Sequence, residues 1–240
     1  MLCKFCYLCN RNTIKFIAYE INYILTSNST SFLGQTLDET LSWKLHIDQL
    51  CTKLKSACLI LRTLTSLLTQ QNMKIVYFSF FHSIMTYAVI FWENSADRNK
   101  VFKLQKRGIR LNMYSSNRIS CRSLFKKLGI LPLQSQYILS LALFVVKNLE
   151  MFTPNSDIYT KNNRSKSNLF LPQTRLTKYQ KGVYFAGIKI FNCLPENIKK
   201  ILITQKIKNE LKKFLLLGSV YSVEEFYEWT SKRSFYDTYS

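Results

Sequence analysis

Apolar residues recur at intervals of three and four along most of the chain, a spacing that places them on one face of an α-helix. This pattern predicts helices over residues 43–68, 73–92, 100–112, 121–128 and 133–149. One more amphipathic helix is predicted from Ile207 to Gly218. The first 30 residues show only weak periodicity and favour one or two strands, so we expect a mainly α-helical protein that begins with a short β segment.

Residues typical of helix ends support several of these boundaries. Ser42 precedes the first long apolar pattern and is suited to N-capping. Gly129 follows the helix predicted at 121–128, where a glycine commonly ends a helix. Ser222 and Glu225 have the spacing of a capping box and therefore predict one last helix near the end of the chain.

One uncharged stretch runs from Ile75 to Trp92 and covers 18 residues, which is near the lower limit for a membrane span. Ser79, His82 and Thr86 dilute its apolar character, so a buried core helix is the favoured interpretation and a membrane span is the alternative. The first ten residues lack the long apolar segment of a signal peptide. We therefore expect a protein that is not secreted, and the sequence leaves the nucleus and the cytoplasm both open.

The charge of the chain indicates a polyanionic partner. The sequence contains 34 Lys and Arg against 14 Asp and Glu, which gives a net charge of +20. Such an excess opposes compaction by self-repulsion and favours nucleic acid as the partner before an anionic membrane surface. Residues 98–149 contain eleven Lys or Arg, and residues 158–195 contain seven more, with no Asp or Glu in either stretch.

Four of these cations fall together on one face of the helix predicted at 100–112, opposite its apolar face. They are Lys103, Lys106, Arg107 and Arg110. We predict that they contact phosphates, because positive charge of this density binds a phosphate backbone without reading its sequence. In the second stretch, Tyr179 and Tyr184 are candidates for stacking on bases. The alternative is that the basic face is only solvated and the aromatic residues belong to the core.

The carboxylates do not predict a catalytic site. Metal-assisted phosphoryl transfer needs at least two acidic ligands that converge on divalent ions. The adjacent pairs are Asp38-Glu39, which would point to opposite sides of a strand, and Glu224-Glu225, which suits a helix start. The chain contains no polymerase-type aromatic-Ala-Asp-Asp motif. We therefore expect no catalytic residue and no small-molecule substrate.

The cysteines do not predict a metal site either. Cys3, Cys6 and Cys9 have the spacing of cluster ligands, but the position where a fourth thiolate is expected holds Thr13. Free thiols in a reducing compartment are the favoured interpretation. We expect no bound metal and no cofactor.

Several ordered blocks of sequence between residues 31 and 230 resemble one family of proteins. The blocks are Phe32-Leu33-Gly34-Gln35-Thr36-Leu37-Asp38, Leu41-Ser42-Trp43-Lys44, Met73-Lys74-Ile75-Val76-Tyr77, Met85-Thr86-Tyr87, Phe102-Lys103-Leu104-Gln105-Lys106-Arg107, Ser120-Cys121-Arg122-Ser123-Leu124-Phe125, Leu128-Gly129-Ile130-Leu131-Pro132-Leu133, Tyr179-Gln180-Lys181 and Tyr221-Ser222-Val223-Glu224-Glu225-Phe226. In their order and spacing they resemble the region that follows the catalytic core in reverse transcriptases of non-LTR (LINE-type) retrotransposons, jockey-like elements above all.

The resemblance implies a role for each part of residues 31–150. Residues 31–42, with Phe32, Leu33 and Gly34, correspond to the β-hairpin that grips the primer end. Residues 43–150 correspond to a helical thumb domain that lies along the template–primer duplex. The partner implied is RNA, DNA or an RNA–DNA hybrid, bound without sequence specificity. Divalent magnesium is implied only for the full-length parent enzyme, an RNA-directed DNA polymerase.

The remaining parts of the chain have less definite roles. Residues 1–30 form a poorly defined N-terminal segment, which is either a remnant of palm strands or unrelated sequence. The polar residues at 151–170 predict a flexible linker. Residues 171–240 are predicted to form a smaller, basic and α-rich C-terminal region.

The sequence departs from the family pattern in two ways. It lacks the palm with its metal-binding aspartates, so we expect a truncated fragment that binds nucleic acid and does not polymerise. Related sequences commonly carry glycine after Tyr87 and Trp92, where this chain has Ala88 and Glu93, and Glu93 is expected to disturb a turn that needs positive φ. The alternatives are a degenerate relic without function and a small membrane protein that uses residues 75–92.

Overall fold

Two antiparallel β-hairpins lie at the N-terminal end of the chain. The computed structural model describes residues 6–10, 13–17, 27–116, 118–158, 168–201 and 207–236. Strand β1 (Cys6–Asn10) pairs with β2 (Thr13–Ile17), and β3 (Ser29–Phe32) pairs with β4 (Gln35–Asp38). The second turn consists of Leu33 and Gly34, whose φ angles of 47° and 73° suit the two positive-φ positions of a type I′ turn. A short β segment thus precedes the helices, as predicted.

Helix α1 (Lys44–Leu64) follows the second hairpin and presents one face to the core. The buried residues of this face are His46, Ile47, Leu50, Cys51, Leu54, Ala57, Cys58 and Leu61. Trp43, with a left-handed backbone (φ 63°), directly precedes the helix, and the predicted cap at Ser42 lies one residue earlier, where its hydroxyl accepts from the Lys44 N–H at 3.3 Å. Ser42 also donates to the Asp38 carboxylate through its backbone N–H and its hydroxyl, both at 2.9 Å, and so connects the hairpin to the helix.

The apolar stretch that was predicted to be one core helix is divided into four pieces. Helix α2 (Gln70–Val76) continues into a π-helical segment (Tyr77–His82) and α3 (Ser83–Thr86), and α4 (Val89–Trp92) follows after a turn. The side chains buried along it are Met73, Tyr77, Phe81, Met85, Val89 and Trp92. The prediction of a single continuous helix is therefore wrong, although one face of the stretch belongs to the core.

Ala88 and Glu93 occupy different backbone conformations at the two ends of α4. Ala88 has a φ of 51°, in the left-handed region that favours glycine. Glu93 has a φ of −64°, so the prediction that it disturbs a positive-φ turn is wrong. Its side chain is fully buried, and neither carboxylate oxygen has a hydrogen-bond partner among the described residues. Burial raises the pKa of Glu93 from 4.5 to about 8, against the opposing charge of Arg98, whose Nε lies 3.8 Å away.

Helix α5 (Arg98–Asn112) packs against α1 and runs parallel to it. Near the start of both helices, Lys100 Nζ lies 3.0 Å from the Asp48 carboxylate. Beyond the end of both helices, the hydroxyl of Tyr114 donates to the carbonyl oxygen of Leu68 at 2.5 Å. These contacts hold the two helices side by side along their whole length.

Helices α6 (Cys121–Leu128) and α7 (Leu133–Lys147) follow, and the predicted ends of α6 are confirmed. The Ser120 hydroxyl caps its first turn, and Gly129 ends it in the left-handed conformation (φ 64°). The side chain of Gln105, buried in α5, donates to the Leu131 carbonyl at 2.9 Å and accepts from the Leu133 N–H at 2.8 Å. This amide therefore attaches the start of α7 to α5.

The C-terminal third contributes a short 3₁₀ turn and further helices. They are the 3₁₀ turn Leu149–Met151, α8 (Asn155–Ile158), α9 (Thr177–Gln180), α10 (Val183–Asn192), α11 (Glu196–Ile201), α12 (Ile207–Gly218) and α13 (Val223–Tyr236). Helix α12 ends at Gly218 as predicted. The predicted cap of the last helix also forms, since the Glu225 N–H donates to the Ser222 hydroxyl at 3.0 Å. The Glu225 carboxylate in turn accepts from the Tyr221 N–H at 2.8 Å.

The main hydrophobic core includes residues from both sides of the predicted linker, from Ile47 in α1 to Phe226 in α13. Helix α7 lies at its centre and packs against α10 and α12. A second, smaller core consists of Val145, Phe152, Leu169, Ile188, Phe191 and Ile207. The two ends of the predicted linker are paired, because the Phe170 N–H donates to the Thr153 carbonyl at 2.8 Å. Residues 159–167 of that segment lie outside the described ranges.

Within the described ranges, no single helix is long and apolar enough to cross a membrane. The bent pair of α6 and α7, which meet at 47°, has the length and composition of a broken span. Residues 75–92, where sequence alone allowed a span, are distributed over the four pieces described above.

Candidate nucleic-acid interface

The four predicted phosphate contacts lie on the side of α5 that faces away from the core. The buried residues of this helix are Val101, Phe102, Gln105, Gly108, Ile109 and Asn112. At 100° per residue, the centre of this buried arc lies about 150° from the centre of the arc that holds Lys103, Lys106, Arg107 and Arg110. The helix therefore presents its four cations together, as the sequence periodicity predicts for an amphipathic helix. We call Lys103, Lys106, Arg107 and Arg110 the α5 basic face.

The members of the α5 basic face differ in how they are held. Lys103 and Arg107 are exposed, and no ion pair engages them among the described residues. Lys106 is half-buried, with its Nζ 4.7 Å from the centre of the Phe102 ring. Arg110 donates from Nε and Nη2 to the carbonyl oxygen of Ile119 at 3.4 and 3.3 Å. Arg110 thus supports the loop before α6, while Lys103 and Arg107 carry the most accessible charge.

Carboxylates lie near this surface in two places: Glu225 pairs with Arg122 at 2.9 Å, and two more lie at the start of α5. There Lys100 Nζ lies 3.0 Å from Asp48 and 2.9 Å from Asp97. Hydrogen bonds to these two carboxylates raise the pKa of Lys100 to about 12. One ammonium balances only one of these two carboxylates, so negative charge remains at the start of α5, whereas the helix itself contains no acid.

Helix α1 adds two cations to the flank of this surface that the sequence reasoning missed. Cys58 Sγ lies 3.9 Å from the Leu104 carbonyl oxygen, so this side of α1 touches α5. Burial raises the pKa of Cys58 to about 11, and the charge of Arg107 opposes that rise. Lys55 and Arg62 are exposed one turn after Cys51 and Cys58, respectively. Residues four apart are neighbours on a helix, so the spacing of Lys55 and Arg62 from two buried cysteines could have predicted from the sequence that these cations lie beside the core.

The predicted primer-grip residues form the exposed tip of the second hairpin. Phe32 is 40% exposed and Leu33 is 70% exposed. The Tyr87 hydroxyl donates to the Leu33 carbonyl oxygen at 2.6 Å, and the Tyr87 ring lies close to Gly34. Tyr87 therefore fixes the tip against the turn between α3 and α4, on another part of the surface than the α5 basic face.

A cleft of about 390 Å³ lies beneath this tip, between the hairpin, α1 and α3. His46, Gln49, Lys53 and Ser83 line it together with Tyr87. Burial, with a further effect of the Lys53 charge, lowers the pKa of His46, so this imidazole is neutral at pH 7. The cleft thus offers neutral hydrogen-bonding groups and one ammonium.

The two tyrosines predicted to stack on bases have different surroundings. Tyr179 in α9 is 45% exposed, with its ring edge towards Phe185 at a centroid distance of 6.1 Å. Tyr184 in α10 stacks on Phe152, with centroids 4.9 Å apart and planes 9° apart. One face of the Tyr184 ring is therefore occupied by the smaller core, whereas Tyr179 is accessible to a ligand.

No group of three or more His, Cys, Asp or Glu side chains within the described residues has the arrangement of a metal site. Cys3, which belongs to the N-terminal cysteine cluster, lies outside the described residues. Comparisons with protein-family models, with curated proteins and with solved structures find no match to this chain.

Proposed function

We propose that this chain binds nucleic acid without sequence preference, through the α5 basic face and the adjacent flank of α1. The observation that carries the proposal is the acid-free stretch at residues 98–149, whose cations include four on the exposed side of one helix. Lysine and arginine side chains that neutralise phosphates release condensed counterions, and this release provides affinity for any sequence. The partner is RNA, DNA or an RNA–DNA hybrid.

The proposal gives each part of the surface a separate task. Lys103 and Arg107 contact phosphates directly, while Arg110 supports the loop at Ile119 and contributes a longer-range charge. Tyr179 provides an exposed ring on which an unpaired base can stack. In the context of the family resemblance, the chain acts as a thumb-like region of a non-LTR reverse transcriptase, with catalysis assigned to the palm of the parent enzyme.

A second candidate is a relic that no longer binds nucleic acid. It is favoured by exposed apolar side chains on Gln70–Trp92, which we call the divided stretch. Ile75, Phe80 and Phe91 are 62%, 50% and 49% exposed, respectively. Apolar surface of this kind favours self-association. A relic is expected to aggregate and to bind RNA no better than a neutral protein does, whereas a binding domain remains monodisperse in the complex.

The salt dependence of binding tests the proposal. The affinity for a fluorescent single-stranded 20-mer and for a duplex of the same length is measured by anisotropy between 50 and 300 mM KCl. If about six phosphates are neutralised, log K falls with log salt with a slope of about −5 for duplex DNA. A slope near zero, or no binding at 50 mM salt, refutes the proposal.

Charge-reversal variants locate the contact. The double variant K103E/R107E is expected to lose most of the affinity and to flatten the salt slope by about 2, because two phosphate contacts are removed. The control K147E/K232E changes charge by the same amount at exposed positions of α7 and α13. Equal losses in both variants mean that net charge alone binds the ligand, and circular dichroism shows whether each variant keeps its helices.

A further inference from the structure

Three lysines from two distant parts of the sequence meet on a part of the surface formed by α12 and the divided stretch. Lys74 and Phe78 are one turn apart around the end of α2, and Lys208 and Lys212 are one turn apart in α12. Lys212 Nζ lies 6.0 Å from the centre of the Phe78 ring, which joins the two elements. We call Lys74, Lys208 and Lys212 the lysine cluster.

Positive charge in this cluster is concentrated and partly removed from water. Burial, followed by the charges of Lys74 and Lys208, lowers the pKa of Lys212. The neighbouring His82, whose ring is 4.9 Å from that of Phe78, has its pKa lowered to about 4 by burial and by Lys212 and Lys208. The imidazole is therefore neutral at pH 7 and adds no charge of its own.

No acidic side chain among the described residues is paired with the lysine cluster. Glu210, the acid in the first turn of α12, lies 2.8 Å from Lys213 on another side of the helix. The charges of the other two members of the cluster act on Lys212, and such like charges repel each other unless an anion lies between them. Surface lysines that have no ligand are free to separate, whereas here Lys212 lies against Phe78, where its ammonium is attracted to the ring.

We propose that the lysine cluster is a binding site for clustered phosphate groups, separate from the α5 basic face. Two observations carry this assignment: Lys74 and Lys208 each lie one helical turn from a member of the Lys212–Phe78 contact, and none of the three lysines is paired with a carboxylate among the described residues. Phosphate matches the site because each ammonium is a compact donor for phosphate oxygens. Lys208 is also in the first turn of α12, where the helix dipole favours an anion.

The site goes beyond the function proposed for α5, since it requires neither α5 nor a long polymer. Adjacent phosphates come from two sources, a nucleic-acid backbone or a small molecule such as a polyphosphate or a nucleotide. Both present two or three phosphates within a few ångströms. The chemistry of recognition is the same for both, so the two sources are distinguished by experiment.

Calorimetric titration of the intact chain with tripolyphosphate tests the site. The variant K208Q/K212Q is expected to bind tripolyphosphate about tenfold more weakly or worse, because two charge-assisted contacts are lost. The control K213Q changes a lysine of the same helix that is already paired with Glu210, and it is expected to bind within about twofold of the unaltered chain. Melting curves without ligand verify that both variants fold.

Several outcomes overturn the inference. They are no binding of tripolyphosphate by the unaltered chain, equal binding by K208Q/K212Q, and an equal loss in K213Q. A loss of tripolyphosphate binding in K103E/R107E alone also overturns it, because the phosphates then lie on α5. This last variant separates the two proposals, since it is expected to lose oligonucleotide binding and to keep tripolyphosphate binding.

The 20-mer distinguishes the two sources of phosphate. If K208Q/K212Q also weakens oligonucleotide binding and flattens its salt slope by about 2, the cluster holds a nucleic-acid backbone. If oligonucleotide binding is unchanged while tripolyphosphate binding is lost, the ligand is a small phosphate compound. Both results support the phosphate site and identify its ligand.

Discussion

Two apolar stretches, Gln70–Trp92 and α7, contribute to the same main core with different backbones. Helix α7 is a continuous α-helix of 15 residues, whereas Gln70–Trp92 contains a π-helical segment and a left-handed residue, Ala88. The buried side chains of the first recur every four residues, at Met73, Tyr77, Phe81, Met85 and Val89. Those of α7 include Leu133, Tyr137, Ile138, Leu141, Ala142 and Val145, in steps of mostly three and four.

The difference in spacing explains the difference in backbone. A repeat of four drifts by about 40° per step around an α-helix, which has 3.6 residues per turn. Four such steps from Met73 would carry Val89 to nearly the opposite side of the helix. The π-helical segment closes i→i+5 hydrogen bonds and so holds more residues in each turn, which returns the following side chains to the core. The irregular backbone thus allows side chains that recur every four residues to face the same core.

Deleting one residue from each stretch tests this explanation and has the largest expected effect. Deletion of Ser140 turns Leu141, Ala142 and Val145 by about 100° relative to the first half of α7. Burial of a large apolar side chain contributes about 1.5–3 kcal/mol, so the loss is on the order of 5 kcal/mol, comparable with the whole stability of a domain. We expect an unfolded or aggregated protein, as measured by urea unfolding followed by circular dichroism.

The matched deletion removes Phe80, which is half-exposed within the π-helical segment. It shortens the step from Tyr77 to the next buried side chain to three residues, which suits an α-helix. We expect a folded protein that is destabilised by about 1–2 kcal/mol. If both deletions unfold the protein alike, the π-helical segment does not serve to correct the spacing.

The buried Glu93 directly follows the stretch Gln70–Trp92, and its replacement by glutamine sharpens the comparison through pH. Below pH 4.5 the carboxyl is protonated in the folded and unfolded states. Between pH 4.5 and about 8 it is ionised only when unfolded, since its folded pKa is raised to about 8, so stability falls as pH rises. Glu93→Gln removes this loss and is expected to stabilise the protein on the order of 3 kcal/mol at pH 9.

Urea midpoints at pH 5, 7 and 9 measure the effect, and the advantage of the variant should grow with pH and then level off above pH 8. The control Glu228→Gln removes the same charge from an exposed position in α13. A constant difference between Glu93→Gln and the unaltered chain at all three values shows that the folded carboxyl is ionised throughout.

The smallest effect is expected at Ala88, which has a φ of 51°. Ala88→Gly should stabilise the protein by about 1 kcal/mol, because glycine adopts the left-handed region without the steric cost of a Cβ. Ala142→Gly, inside α7, should have the opposite sign and cost about 1 kcal/mol or more. Thermal melting of the two variants provides the comparison, and destabilisation by both indicates that Ala88 is not strained.

Elements with local signals at both ends could be predicted from the sequence. Helix α6 is the clearest example, since Ser120 caps its first turn and Gly129 ends it in the left-handed conformation. The cap formed by Ser222 and Glu225 could also be predicted, because its hydrogen bonds join residues three or four apart. The start of α1 was missed by one residue, since Asp38 of the hairpin engages Ser42.

Which helices share the main core could not be predicted in the same way. Sequence alone divided the chain at the polar segment 151–170, but α7 packs against α10 and α12 across that segment. The burial of Glu93 was also missed, because it follows from packing by elements that are distant in sequence. Such contacts depend on how helices meet, and the periodicity of one helix does not specify its neighbours.

The α5 basic face was determined by the sequence alone, whereas the lysine cluster was determined only by the tertiary structure. Lys103, Lys106, Arg107 and Arg110 share a face because 3.6 residues make one turn of any α-helix, so periodicity alone determined their placement. Lys74 and Lys212 are separated by more than half the chain and share no period. Only the packing of α12 against α6 and α7 brings Lys212 to the Phe78 ring, one turn from Lys74, and that packing is decided by side chains that meet in three dimensions.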